Sequence, residues 1–156
     1  MPIRIIMGTK EVLESGFACR ASTTRTYTGM PDSTVGGGIM SGETPFQCLV
    51  REAAEEASFA EMIIRVGAKA CGTVSYVCRT DERSGGELGP LTPEVQLVYG
   101  MELPMGLVPR SNDEGVEGFM CMSVEKVEAA LKAGEFTPAN GCVILICFGK
   151  AWTFDV

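Results

Sequence analysis

One segment near the middle of the chain defines both the start and the buried side of a helix. The stretch Thr44–Gln47 (TPFQ) offers an N-cap hydroxyl, a proline at the first helical position and a glutamine placed to close a capping box. Apolar residues then recur every three or four positions, at Phe46, Leu49, Val50, Ala53, Ala54 and Ala57. At about 100° per residue they form one apolar stripe, which predicts an amphipathic helix.

Another side of this helix carries Glu52, Glu55 and Glu56, with Arg51 at its edge. Carboxylates at this spacing repel one another by about a few tenths of a kcal/mol per pair, so the arrangement gains nothing for folding alone. One interpretation is a solvated acidic face. The other is a site for a hard cation such as Mg²⁺, which takes carboxylate oxygens and leaves its other positions to water and substrate phosphates.

The residues upstream of the helix favour the cation site. Gly37 is followed after five residues by Glu43, and Glu43 after seven residues by REAAEEASF, which begins at Arg51. This spacing resembles the Nudix box, G-x5-E-x7-R-E-U-x-E-E-x-G-U, with every charged position filled. The resemblance implies a Nudix fold, an α/β/α sandwich with a mixed sheet and a loop-helix-loop catalytic motif, formed as a single domain over residues 1–156.

The same resemblance implies a role for each charged residue of the box. Glu52, Glu55 and Glu56 are implied to bind Mg²⁺ or Mn²⁺, and Glu56 or a nearby acid is the expected general base. Arg51 is implied to pair with Glu43 and to orient the ligating carboxylates. All five residues are therefore candidate catalytic residues.

The Nudix box also specifies glycines, and this chain has glycine at the start of the box but serine at its end. Gly36, Gly37 and Gly38 are expected to let the backbone turn tightly beside the site, and Gly37 and Gly38 are candidate substrate-binding positions. The glycine that ends the helix in the box is Ser58 in this chain. Ser58 must adopt a positive φ or alter the turn, and we expect a modest local cost without loss of the fold.

Outside the box, the chain resembles the Nudix domain associated with thiamine pyrophosphokinase in fungi, with related plant and bacterial proteins. The matching motifs are RTYTGMPDSTV from Arg25, GTVSY from Gly72, PEVQ from Pro93, VPRSND from Val108 and GEFTP from Gly134. The resemblance covers residues 20–148 and implies hydrolysis of thiamine diphosphate or a damaged analogue to the monophosphate. Members usually carry an additional N-terminal region, whose contribution we expect to be absent here or replaced by a partner subunit.

A second departure leaves the reaction open. Where this branch has an acidic residue before a valine, the chain has Gly115, and Glu114 points to the opposite face if the segment is extended. The leading hypothesis is metal-dependent hydrolysis of a small organic diphosphate, whether thiamine-like, nucleoside or prenyl. The alternatives are a repurposed Nudix-fold enzyme that isomerises, cyclises or oxidises a small molecule, and a binding module without enzymatic activity.

Four further residues are candidates for binding the substrate. Tyr27, Tyr76 and Phe119 are candidates to stack on an organic ring, and Arg110 is a candidate to hold a phosphate. Specificity is expected in two polar, turn-rich connections, Thr80–Pro93 and Met105–Gly115.

Short runs of β-forming residues predict strands at Gly16–Ser22, Cys71–Arg79 and Val95–Leu103. Helical spacing predicts an amphipathic helix over Ser123–Ala133, with Ser123 as N-cap and Gly134 as its stop. The run Cys142–Phe148 fits either a buried strand or a buried helix.

Composition restricts the remaining classes of function. A net charge of −7 repels nucleic acid and anionic lipid, so a small-molecule substrate is expected, and an anionic one requires a cation. The sequence contains no histidine, which excludes catalysis by imidazole. Apolar runs are too short for a membrane span or a secretory signal, so we expect a cytoplasmic protein. The resemblance to the Nudix family implies a possible homodimer. The odd number of cysteines predicts buried, reduced thiols at Cys19, Cys48, Cys71, Cys78, Cys121, Cys142 and Cys147.

Overall fold

The structure is a computed structural model that describes residues 2–9, 14–85, 88–104, 106–112 and 114–149. Within these residues the strands are β1 (Pro2–Thr9), β2 (Glu14–Arg20), β3 (Pro31–Ser33), β4 (Val35–Gly38), β5 (Lys69–Arg79), β6 (Leu91–Glu102) and β7 (Val116–Ser123). The helices are α1 (Pro45–Ala57), α2 (Glu61–Gly67), α3 (Val124–Ala133) and α4 (Pro138–Gly149). A short 3-10 turn, Glu82–Ser84, lies between β5 and β6.

The strands join in one mixed sheet. Its main path runs in the order β3-β2-β1-β6-β5, while β4 pairs with β1 and β7 pairs with β2. Strands β1 and β6 are parallel, and the other pairs are antiparallel. This is the mixed sheet implied by the resemblance to the Nudix box.

Helices cover both faces of the sheet. Alternate side chains of a strand point to opposite faces, so one strand can contribute to the core on each side. On β6, Met101 belongs to the hydrophobic core that includes Leu49 of α1 and Ile64 of α2. Val98 belongs to a second core, which includes Val127 of α3 and residues of α4. The predicted α/β/α sandwich is therefore confirmed.

The predicted helix at Thr44 is confirmed as α1. The Thr44 hydroxyl accepts the Gln47 amide at 3.3 Å, and Gln47 Oε1 accepts the Thr44 amide at 2.8 Å, which completes the capping box. The buried side differs from the predicted stripe at two positions, because Ala54 is exposed and Cys48, which the stripe did not include, is fully buried. Cys48 and Leu49 together point into the core, so the stripe is rotated toward Cys48.

The other predicted elements are present with shifted ends. The three predicted strands correspond to β2, β5 and β6, and the predicted second helix is α3. Strand β6 begins at Leu91, so the connection predicted as Thr80–Pro93 is shorter than expected. The run Cys142–Phe148, which fitted a strand or a helix, lies in α4.

The cysteines differ from the prediction in their exposure. The described thiols are free, as predicted, at Cys19, Cys48, Cys71, Cys78, Cys121 and Cys142. Cys48 is buried, but Cys121 is exposed and the others are half-buried. The side chain of Cys147 lies outside the described residues. Among the helices that the structure describes, none combines the length and the hydropathy that crossing a membrane requires.

Candidate functional site

Arg51 joins three acidic side chains beside α1, of which only Glu55 is exposed. Its Nε donates to Glu43 Oε1 at 2.9 Å and its Nη2 donates to Glu43 Oε2 at 3.0 Å, which gives the predicted pairing. Its Nη1 donates to Glu52 Oε1 at 2.8 Å and to Glu55 Oε2 at 3.1 Å. A planar guanidinium can bond several carboxylates in fixed directions, so Arg51 sets the position of the acids around it.

Strand β4 lies against the acidic side of α1 and contacts two of the glutamates. The Gly36 amide donates to Glu56 Oε2 at 2.8 Å. A methyl group added at Gly37 would lie 1.8 Å from Glu52 Oε1, so the Glu52 carboxylate occupies the space that a side chain would need. The expected tight turn at these glycines is wrong, because Gly36, Gly37 and Gly38 form extended strand paired with β1. Close approach requires glycine at Gly37, whereas a methyl group added at Gly38 would meet nothing within 4 Å.

Cys48 also belongs to this site, although it is not one of the residues that the Nudix box specifies. Its thiol donates to Gly38 O at 3.3 Å and accepts from Arg51 Nη2 at 3.5 Å. The sequence contains a signal for this contact, because Cys48 lies three residues before Arg51 and therefore on the same side of the helix.

Burial and charge act on the acids of the site in opposite directions. Hydrogen bonds from Arg51 lower the pKa of Glu43 to about 2. Burial raises the pKa of Glu52, and Arg51 opposes this increase only in part. Burial, followed by the charge of Glu43, raises the pKa of the Cys48 thiol to about 11. Cys48 is therefore a neutral thiol near neutral pH, which excludes it as a thiolate nucleophile there.

The chemistry of the donors fits a divalent cation. Carboxylate oxygens are the ligands that Mg²⁺ and Mn²⁺ prefer, and the space beside Gly37 admits the Glu52 carboxylate. In the described part of the chain, no group of three or more Asp, Glu or Cys side chains converges closely enough to hold an ion. Glu52 and Glu55 are instead bonded to Arg51, so a cation would have to replace those two bonds.

The connection between β6 and β7 is attached to the end of α1. Ser58 has a left-handed backbone, with φ 56° and ψ 32°, as its place in the box required. Its hydroxyl donates to Arg110 O at 3.0 Å, and the Arg110 side chain is exposed.

Further along the same connection, Glu114 and Gly115 lie in a turn. The segment is therefore not extended, and the expectation that Glu114 points to the opposite face, which assumed an extended segment, does not apply. The Gly115 carbonyl accepts the Ala21 amide at 2.9 Å.

The aromatic candidates lie in three different surroundings. Tyr27 has a positive φ of 49°, and Arg83 lies over its ring at 5.9 Å. The Tyr76 hydroxyl bonds Glu94, and its ring packs against the core under α3 and α4. Phe119 packs against the core under α1 and α2. Tyr76 and Phe119 thus lie on opposite faces of the sheet and do not form one stacking surface.

Comparisons with known proteins agree with this geometry. Residues 16–140 match the family described as NUDIX domain. The chain is 31% identical over 133 residues to the Saccharomyces cerevisiae protein "Uncharacterized protein YJR142W", covering 83% of this chain and 39% of that protein. It is 33% identical over 129 residues to "Nudix hydrolase 20, chloroplastic" from Arabidopsis thaliana, covering 83% of this chain and 32% of that protein. The chain thus spans about a third of the length of these curated relatives.

A solved structure shows the same fold at low sequence identity. It is a bifunctional NMN adenylyltransferase/ADP ribose pyrophosphatase from Francisella tularensis, complexed with AMP and a Mn ion. The TM-score is 0.64 at 12% identity, with 96% of this chain and 41% of that chain covered. The solved structure shows the fold, and the family match over residues 16–140 shows that the chain belongs to the NUDIX domain family.

Proposed function

We propose that this domain hydrolyses a small organic diphosphate to the monophosphate in a reaction that depends on Mg²⁺ or Mn²⁺. The observation that carries the proposal is the placement of Glu52 and Glu56 of one helix against the glycine strand β4. Glu52 fills the space beside Gly37, and Glu56 accepts the Gly36 amide. Neither contact is needed to bury the apolar side of α1. Glu55 lies one residue before Glu56 and three after Glu52, so the three carboxylates share one region of the helix, in which Glu55 is exposed and the other two are half-buried.

In this proposal Glu52, Glu55 and Glu56 would hold the cation. When bound, the cation neutralises charge on the diphosphate oxygens and lowers the pKa of a bound water. Arg51 keeps its two hydrogen bonds to Glu43, which fix the guanidinium while Glu52 and Glu55 turn to the ligand. Glu43 and Arg51 are therefore positioning residues, which act through the carboxylates beside them.

Glu56 is the general base of the proposed reaction. The amide of Gly36 fixes its carboxylate at 2.8 Å, which reduces the freedom of the side chain. Glu56 takes a proton from water as the water oxygen forms a bond to one phosphorus atom. The bridging P–O bond breaks, and its electron pair stays on the leaving phosphate group.

The substrate class rests on the resemblance of the sequence motifs and on the loops at the site. We propose a thiamine-diphosphate-like compound, because the motifs of residues 20–148 resemble those of the thiamine pyrophosphokinase-associated branch. Arg110 is exposed on the loop attached to the end of α1, where its charge can bind a phosphate. Tyr27 is the aromatic candidate that lies on a loop, and its ring already contacts the Arg83 guanidinium.

The test is the release of phosphate and monophosphate from thiamine diphosphate, nucleoside diphosphate compounds and prenyl diphosphates, with Mg²⁺, with Mn²⁺ and with chelator. We expect turnover of one class that disappears with chelator and falls at least about a hundredfold in Glu56→Gln, because a positioned base contributes that much. Glu128→Gln, at an exposed position on α3, is the matched control and should retain full activity. Full turnover in chelator or in Glu56→Gln would refute the proposal. Absence of turnover from the folded protein would favour a non-hydrolytic Nudix-fold enzyme, which the glycine at position 115 also suggests.

A further inference from the structure

The end of α1 contains a residue whose backbone conformation favours glycine. Ser58 has φ 56° and ψ 32°, and the box that this chain resembles has glycine at that position. Within the described residues, Tyr27 and Ser58 are the non-glycine residues with a positive φ.

The closure of α1 does not use the Ser58 side chain. The backbone amide of Ser58 donates to Ala53 O, and the amide of Phe59 donates to the same carbonyl at 3.0 Å. Glycine makes both of these bonds equally well, because they involve only the backbone. Capping therefore gives no reason for a hydroxyl at this position.

The hydroxyl of Ser58 instead bonds the connection between β6 and β7. Ser58 Oγ donates to Arg110 O at 3.0 Å, and the Arg110 amide donates to Ala57 O at 3.1 Å. Both backbone groups of Arg110 are thus held by the last turn of α1. Beyond this point, the Ser111 hydroxyl bonds the Val116 carbonyl at the start of β7.

We propose that Ser58 is a positioning residue, whose hydroxyl holds the backbone of Arg110 at the end of the glutamate-bearing helix so that Arg110 can bind the substrate phosphate. The two attachment points, Ala57 and Ser58, lie one and two residues beyond Glu56, so the loop is held within one helical turn of the proposed general base. The phosphate-binding part of this inference rests on the proposed function, whereas the attachment of the loop does not.

The test compares three variants by two measurements. Ser58→Gly permits the left-handed backbone and removes the hydroxyl, while Ser58→Ala removes the hydroxyl and keeps the side-chain carbon. Ser58→Asn is the conservative variant, because asparagine tolerates this backbone and its amide can donate to a carbonyl. The measurements are hydrogen exchange of the Arg110 amide by NMR, and KM and kcat with the diphosphate that the wild type turns over.

We expect the Arg110 amide to exchange about three to ten times faster in Ser58→Gly and Ser58→Ala, which corresponds to the loss of one hydrogen bond. The amide of Glu135, bonded to Ala130 O at the end of α3, is the internal control and should not change. KM should rise about three- to tenfold while kcat changes less than about twofold, because the loop acts on binding. Ser58→Asn should return both quantities toward the wild-type values.

Unchanged exchange of the Arg110 amide in both Ser58→Gly and Ser58→Ala would overturn the inference, even if the protein is an active hydrolase. Faster exchange with an unchanged KM would overturn the role of Ser58 in substrate binding. If no diphosphate is turned over by the wild type, the proposed function fails, and the exchange measurement alone decides whether the hydroxyl holds the loop.

Discussion

Arg51 and Glu43 are joined by two parallel hydrogen bonds, Nε to Oε1 at 2.9 Å and Nη2 to Oε2 at 3.0 Å. The pair connects α1 to the residues before it, because Glu43 also accepts the Met40 amide through Oε2 at 3.0 Å. The remaining donor of Arg51, Nη1, bonds Glu52 and Glu55. One guanidinium thus fixes the loop before the helix and two of the acids on it.

Replacing Arg51 by lysine tests this geometry. A lysine ammonium keeps the charge but cannot make the two parallel bonds to Glu43 while a second nitrogen bonds Glu52. We expect Arg51→Lys to reduce kcat/KM by about ten- to a hundredfold, as for other groups that orient ligands. The urea midpoint should fall as well. Wild-type kcat/KM in Arg51→Lys would show that charge alone is required.

The Glu43–Arg51 pair also predicts a dependence of stability on pH. The pKa of Glu43 is about 2 in the folded protein and is expected near its ordinary value of 4.5 after unfolding. A lowered pKa stabilises the folded state at pH values above 4.5, and this stabilisation is lost as the pH falls toward 2. The difference in free energy of unfolding between wild type and Glu43→Gln should therefore shrink between pH 5 and pH 2. A difference that stays constant across urea titrations in this range would contradict the pairing.

A methyl group at Gly37 should displace Glu52 without disturbing the core. The added carbon would lie 1.8 Å from Glu52 Oε1 and 2.6 Å from Oε2, so the carboxylate must move. We expect Gly37→Ala to lower turnover by at least about tenfold, because misplacement by about 1 Å has such effects. Gly118→Ala on β7 is the matched control, since an added carbon there meets nothing within 4 Å. Equal turnover in the two variants would show that turnover does not depend on the position of the Glu52 carboxylate beside β4.

Removal of the N-cap of α1 should reduce stability but leave the chemistry intact. Thr44→Ala loses the side-chain acceptor for the Gln47 amide and the reciprocal geometry of the capping box. The expected loss in free energy of unfolding is about 1 kcal/mol, measured by urea denaturation. Because Thr44 contacts none of the three glutamates in the hydrogen bonds of the structure, kcat per folded molecule should not change. No loss of stability would mean that water replaces the cap.

The sequence was sufficient to predict α1, because the signals that start it are local. The Thr44 cap and the spacing of Glu52, Glu55 and Glu56 are properties of neighbouring residues, and the structure reproduces them. Prediction failed where distant pairing decides the conformation. Gly36–Gly38 suggested a tight turn, but pairing with β1 keeps these residues extended.

Other elements were missed because their local signals are weak. Helix α2 has seven residues and no side-chain hydrogen bond at its N-cap, so its sequence shows neither a clear period nor a start. Strand β7 contains Gly118 and two methionines among its eight residues, which gives little preference for strand. The bond between Ser58 and Arg110 joins residues 52 positions apart, and no local pattern predicts such a contact.

The most direct test of the central claim is the binding of Mn²⁺ to the protein, measured by electron paramagnetic resonance at increasing Mn²⁺ concentration. If Glu52, Glu55 and Glu56 hold the cation, wild type should show one tight site per chain, weakened at least about tenfold in Glu52→Gln and Glu56→Gln. Glu128→Gln should bind Mn²⁺ as the wild type does. Equal Mn²⁺ affinity in wild type, Glu52→Gln and Glu56→Gln would contradict the claim that the acidic side of α1 is a metal site.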